Sequence, residues 1–339
     1  MTLPCWTNAY GGVKNTGIIR QNLEDFKVDE IPAFECSGEG EHAFIHIEKR
    51  GENTDYIARQ LARFAGVRQR DVSYAGLKDR HAVTTQWFSV WLPGKPDPDW
   101  SLLNSDSLTI LEAQRHSRKL KRGSLAGNQF SLIIRDWSGD KAYLEQQLQQ
   151  IKLGGVPNYF GAQRFGREGN NINKVLALFS GQEKIPKDKR GLFLSAARSY
   201  IFNEIVSARV QQGNWNEFIT GDVMMFNDSH SFFKTDSENT GIEKRLNDLD
   251  IHPTAILFGK GELESAQDMA VLEQKIIEQQ NELAKGLIAF GLEQDRRAIR
   301  CQVKDLQWQF IAEQSVALQF SLNAGCYATA VLKELFEMD

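Results

Sequence analysis

The sequence predicts an α+β fold, a strand-rich domain built from both ends of the chain with a helical segment inserted between. Three observations carry this. Alternating apolar positions recur from Asp25 to Arg135, the composition changes after Gly155 to helical patterns that run, with an irregular stretch between, to Phe290, and alternation resumes at Cys301. The order strand-rich, helix-rich, strand-rich places a discontinuous domain at residues 1–155 and 301–339. An insertion occupies 156–300.

The elements follow in order. Asp25 to Glu30 alternates, as does His42 to Ile47, where His42, Phe44 and His46 share one side of a strand. Gly38-Glu39-Gly40 is a turn between them. Asn53 or Thr54 can cap a helix whose apolar stripe is Ile57, Leu61 and Phe64, with Gly66 ending it. A loop carries Tyr74 to His81. Thr84 to Leu92 reads as a buried strand stopped by Pro93-Gly94, and Ser107 to Gln114 and Asn128 to Arg135 as two more. Lys141 to Leu153 is an amphipathic helix closed by Gly154-Gly155. Leu192 to Gln212 is a long helix, Asn216 to Gly261 is irregular, and Glu262 to Phe290 returns to helix. Val303 to Ile311 and Ser315 to Leu322 alternate, and a helix runs from about Tyr327 to Met338.

The 339 residues, 41% hydrophobic and 25% charged, suffice to bury a substantial core. No apolar run approaches the ~20 residues of a membrane span. The N-terminal residues lack the basic start and apolar stretch of a secretory signal. The four cysteines are scattered without a CxxC pair, which points to a reduced cytoplasm. The net charge of −4 hides an asymmetry: Leu111 to Tyr200 holds 16 Lys+Arg against 7 Asp+Glu, a local +9 that leaves −13 elsewhere. A clustered basic surface is what displaces the counterions of a nucleic acid, although a solvated basic face has the same composition.

The densest candidate for chemistry is Gly76-Leu77-Lys78-Asp79-Arg80-His81. Nearby cations favour the ionised form of a carboxylate, and an ionised, positioned aspartate can act as nucleophile or base. Gly76 would let the backbone turn and expose it. A turn aspartate in surface ion pairs is the plainer alternative. Val156 to Gly166 interleaves Tyr159, Phe160 and Phe165 with Arg164, a composition suited to stacking bases and pairing phosphates, or to a buried aromatic turn. Arg115 to Arg122 holds five Lys or Arg and no acid. It precedes Gly127-Asn128-Gln129-Phe130, where Asn128 could read a base edge and Phe130 could stack on it or sit in the core. His42 and His46 have no third ligand nearby, and no HExxH, GxSxG, P-loop or GxGxxG is present.

Further stretches complete the pattern: Thr16-Gly17-Ile18-Ile19-Arg20, Glu24-Asp25-Phe26-Lys27-Val28, Gly38 to His42, Ser73 to Gln86, Leu194 to Arg198, and Asn323-Ala324-Gly325-Cys326-Tyr327-Ala328-Thr329. Together these resemble the TruD family of tRNA pseudouridine synthases, in the family's order and nearly from end to end. The resemblance implies a pseudouridine synthase catalytic domain, with a mixed, mainly antiparallel sheet and flanking helices, carrying a TruD-specific insertion. It implies isomerisation of uridine to pseudouridine in tRNA, at uracil-13 in bacterial members, with neither metal nor cofactor. The family's nucleophile falls on Asp79, and its substrate contacts on Phe26, Asn128 and Tyr327. The family has Lys where this chain has Arg20, and Phe where it has Tyr327.

On this reading Arg20 pairs with Asp79, and Phe26, Phe130 and Tyr327 enclose the flipped base. Lys119, Lys121, Arg122 and Arg164 grip the tRNA backbone. A monomer is expected, since no extended apolar heptad is evident. Two rivals are a tRNA-binding protein without chemistry and a metal-dependent nuclease built on Asp25, Asp29 and Glu30.

Overall fold

The computed structural model describes residues 3–235 and 241–338. Contacts divide the chain into two compact units. A sheet unit contains Asn15–Asp140, Val303–Gly325 and Glu337–Asp339. A helical unit contains Met1–Lys14, Lys141–Gln302 and Cys326–Phe336. Around the insertion the division falls at 140/141 and 302/303, against breaks expected near 155 and 300, and residues 1–14 and 326–336, expected in the strand-rich domain, group with the helical unit. The helix Lys141–Gly154 therefore groups with the helical unit.

The fold is α+β, as the alternation predicts. In the sheet unit the strands are β1 (Asn15–Ile18), β2 (Phe26–Pro32), β3 (His42–Arg50), β4 (Val72–Tyr74), β5 (Val83–Trp91), β6 (Leu108–His116) and β7 (Leu125–Ser138). A C-terminal hairpin, Lys304–Ala312 and Ser315–Asn323, and the short strand Phe336–Met338, where helix was expected, complete it. The order runs from the hairpin's first strand through its second to β7, β2, β5, β3 and β6. The pair β2–β5 is parallel, and β7–β2, β5–β3 and β3–β6 are antiparallel.

Strand alternation sets the faces. Phe26, Val28 and Glu30 of β2 are buried, while Lys27 and Ile31 are exposed. Ala43, Ile45, Ile47 and Lys49 of β3 are buried with the same period of two. The helix α1 (Thr54–Phe64) lays Ile57, Ala58, Leu61 and Ala62 on Ala43, Ile45, Ile47, Phe88 and Val90. Each fully buried aliphatic side chain contributes about 1.5–3 kcal/mol here. Gly66 follows with φ of 62°, a left-handed turn that glycine adopts without strain.

The helical unit packs Ile172, Val175, Ala197, Ile201, Ile205 and Leu287 into one core. Its long helix starts at Lys187, one residue after Pro186. Two readings are corrected there. The stretch expected to be irregular contains strands Val223–Phe226, Phe232–Lys234 and Ile251–Leu257, although its residues 236–240 lie outside the described ones. The last of these strands is buried through Ile256 despite Pro253, so full burial erased the polar alternation that marks a strand. The single C-terminal helix of the insertion is two, Gln267–Gln279 and Asn281–Ala289. No described helix is long and apolar enough to cross a membrane.

Candidate active site

The carboxylate singled out by sequence sits on the loop between β4 and β5, and that loop is tied down from beneath. Thr54 heads α1, yet its hydroxyl caps nothing. It accepts from the Lys78 amide (3.0 Å) and donates to Gln86 Oε1 (2.8 Å). Gln86 Nε2 donates to the Gly76 carbonyl (3.2 Å), and Lys49 Nζ donates to the Asp79 carbonyl (2.8 Å). With its main chain held, Asp79 keeps a side chain 51% exposed, and Arg20 Nη2 meets its Oδ2 at 2.9 Å.

Arg20 is held in turn. Its guanidinium lies over the Phe26 ring, 3.9 Å from the centroid, a cation–π geometry. Its φ of 60° is left-handed, which costs a non-glycine residue roughly 1–2 kcal/mol. Strain of this kind concentrates where the surroundings fix a side chain for a purpose. Asp25 anchors the start of β2 by accepting from Arg135 Nε and Nη2 at 2.7–3.0 Å. The Arg135 guanidinium holds that carboxyl below the usual range.

The flanking cations do not act as the sequence suggested. Lys78 turns inward, where its Nζ meets Glu30 Oε2 at 2.9 Å and Asn128 Oδ1 at 2.7 Å. The Lys78 side chain is 6% exposed and that of Glu30 is 0% exposed. Arg80 donates to the Gly51 carbonyl. The partner of Asp79 is Arg20, 59 residues away in sequence. Gly76 shows no left-handed φ, and a Cβ there would meet nothing, so exposing Asp79 does not require glycine.

The remaining candidates divide between the units. Phe26 and Phe130 meet edge to face at 6.4 Å, and Phe130 stacks on Phe320 at 5.4 Å. Both belong to the core, at 2% and 7% exposure. Tyr327 is in the helical unit, where its hydroxyl accepts from Arg164 Nη2 at 2.8 Å. Arg164 Nη1 donates to Ser195 Oγ, so the cation expected on RNA is engaged within the protein. Tyr159, Phe160 and Phe165 are buried, which settles their stretch as an aromatic turn. Lys119, Lys121 and Arg122 line a groove of about 630 Å³ with Arg70, Tyr74 and Asp55. There Lys119 Nζ donates to the Arg70 carbonyl.

The carboxylates Asp25, Asp29 and Glu30 do not form a metal cluster. They answer to Arg135, Thr85 and Lys78 respectively. His46 stacks flat on Trp87 at 4.8 Å, and burial pushes both His42 and His46 towards the neutral form.

Sequence reading missed Glu30, Lys49, Thr54 and Gln86 as parts of this site. For two of them the signal was present: Glu30 follows Phe26 and Val28, and Lys49 follows Ala43, Ile45 and Ile47, each at a core-facing position. The Glu30–Lys78 pair yields a stability prediction. Glu30→Ala strands a buried ammonium and should cost about 3–5 kcal/mol in a denaturant titration, whereas Glu30→Leu with Lys78→Met recovers most of it. Equal losses in the single and double variants would show that the pair is not coupled.

Comparison with known proteins follows the same lines. The family model for tRNA pseudouridine synthase D (TruD) matches residues 10–178 and 178–335. The tRNA pseudouridine synthase D of Methylococcus capsulatus is 50% identical over 332 residues, covering 98% of this chain and 94% of that protein. That of Nitrosococcus oceani is 46% identical, covering 96% and 93%. A crystal structure assigned to TruD from Methanosarcina mazei has the same fold, with a TM-score of 0.78 at 23% identity over 98% of this chain and 96% of that one. By model match and by identity over nearly its whole length, this chain belongs to the TruD family.

Proposed function

We propose that Asp79 is the nucleophile of a tRNA pseudouridine synthase and that the sheet unit is its catalytic domain. The chain is a tRNA pseudouridine synthase of the TruD family, isomerising uridine to pseudouridine in tRNA. The observation that carries the residue assignment is the contrast at Asp79: a fixed main chain beneath a half-exposed carboxylate paired to Arg20. The target is uracil-13, the enzyme is a cytoplasmic monomer, and the helical unit carries the family's insertion. None of the four cysteines, all of them described, is in a disulfide.

The reaction breaks N1–C1′, turns the uracil, joins C5 to C1′, and moves the C5 proton away while N1 gains one. It is redox-neutral. The uridine leaves its stack to be reached. The Asp79 carboxylate then adds to C1′ of the ribose or to C6 of the base, and either route gives a covalent intermediate that frees the uracil to turn. Arg20 orients the carboxylate through its 2.9 Å contact. Asn128 has a defined polarity. The atom facing Lys78 Nζ must be its oxygen, since an ammonium only donates, so Asn128 offers N–H groups to a uracil carbonyl. Within the sheet unit, the Phe26 ring lies beneath the Arg20 guanidinium and Phe130 packs against that ring. Arg164 fixes the Tyr327 hydroxyl, giving it the partner a half-buried phenol requires.

Backbone phosphates meet the loop Lys119, Lys121 and Arg122, which positions the RNA without reading it. Replacing these three with Ala should weaken tRNA binding and lower the salt slope by about 2–3, at roughly 0.7–0.9 per phosphate contact. An unchanged slope would remove them from the interface. Asp79→Asn keeps the shape and should bind tRNA as the wild type does, with single-turnover formation of pseudouridine down on the order of 10³-fold or more. A variant that retains the wild-type rate would end the nucleophile assignment.

A further inference from the structure

We propose that Lys49 is a positioning residue for catalysis, a buried ammonium that holds the main chain under the nucleophile. This rests on Asp79 being that nucleophile. Lys49 lies at the end of the β3 stripe Ala43, Ile45 and Ile47, and it is 0% exposed. A lysine there is expensive to bury unless its charge is used. Its Nζ donates to the carbonyl of Asp79 at 2.8 Å and to that of Glu52 at 2.7 Å. One ammonium thereby clamps the catalytic loop onto the turn that follows β3. The carbonyl it grips belongs to Asp79 itself, so a shift of the clamp moves the carboxylate.

The charged groups facing Lys49 are Asp79 and Lys78 from the loop and Glu52 from the turn. Burial is the largest influence and pushes the lysine down from 10.5 to about 8, with Asp79 opposing that fall and Lys78 adding to it. The clamp thus changes character within a working pH range. Below about 8 both bonds are charge-assisted, and above it they are ordinary bonds of roughly half the strength. The sign of the stability effect is opposite to that of the rate. Between about 8 and 10.5 the folded chain binds fewer protons at this site than the unfolded chain, so Lys49 makes stability rise with pH there. A rate that falls in that window is not lost through unfolding at this residue.

A lysine that merely fills space would alter melting and leave the rate per folded molecule alone. The experiment measures single-turnover pseudouridine formation on unmodified tRNA from pH 6.5 to 9.5, with tRNA affinity and thermal melts in parallel. Wild type, Lys49→Met and Asp79→Asn are compared. We expect Lys49→Met to bind tRNA within about twofold of wild type and to react about 10–100-fold more slowly, the scale of a small misplacement of a reacting group. The wild-type rate should decline above about pH 8, and Lys49→Met should lack that decline. A folded Lys49→Met with the wild-type rate, or with the same alkaline decline, overturns the proposal. If Lys49→Met does not fold, γ-thialysine at position 49, a less basic isostere, takes its place. The decline should then move to lower pH, and an unmoved one overturns the proposal. Full activity in Asp79→Asn would instead mark a failure of the nucleophile assignment.

Discussion

The ion pair of Glu30 and Lys78 is the interaction on which the site depends. Two charges buried to 0% and 6% exposure would each cost several kcal/mol if unpaired, so neither can leave without the other. The pair joins three elements. Glu30 comes from the centre of β2, Lys78 from the loop before β5, and Asn128, which shares the ammonium, from β7. Glu30 and Asn128 already stand opposite each other in the β2–β7 register. The sheet therefore supplies a preformed seat, and Lys78 plugs the catalytic loop into it. The adjacent Asp79 is left pointing out. With Lys78 turned in and Asp79 out, a structural ion pair presents an exposed carboxylate.

Around that seat the chain spends conformational freedom to hold Arg20. Its left-handed backbone and its stack on Phe26 fix the guanidinium over an aromatic face, from which one nitrogen reaches Asp79. A lysine in the same place would offer a compact charge but no planar face for the ring. The arginine in this chain thus keeps the pairing and adds a rigid support. Tyr327 shows a parallel adjustment, since its hydroxyl is absorbed by Arg164. Arg20 and Tyr327 each have a partner of their own within their unit.

Much of the sheet unit was legible in the sequence because half-buried strands alternate. β2 and β3 could be read residue by residue, and the apolar stripe of α1 gave its buried face. The family was also legible, through the resemblance of several short stretches in order. The pairing of Arg20 with Asp79 was legible by the same route and is met at 2.9 Å, whereas adjacency pointed to Lys78 and Arg80, of which Lys78 turns inward to Glu30 and Arg80 reaches the Gly51 carbonyl. Aromatic residues from Tyr159 to Phe165 carry no mark that tells a stacking platform from a core. The strands at Val223–Phe226 and Ile251–Leu257 were invisible because burial on both faces removes alternation. The unit boundary at Lys141 was hidden for a related reason: an amphipathic helix shows that it packs, not against which core.

As nucleophile, the Asp79 carboxylate becomes covalently bonded to the target nucleotide. The most direct measurement uses tRNA carrying 5-fluorouridine, whose C5 substituent cannot depart as a proton. Rapid quenching at successive times, digestion and peptide mass spectrometry then locate any adduct. The account predicts a nucleotide attached to the peptide that contains Asp79. An adduct on any other residue, or complete conversion of the fluorinated tRNA with no adduct at Asp79 at any time point, would contradict it.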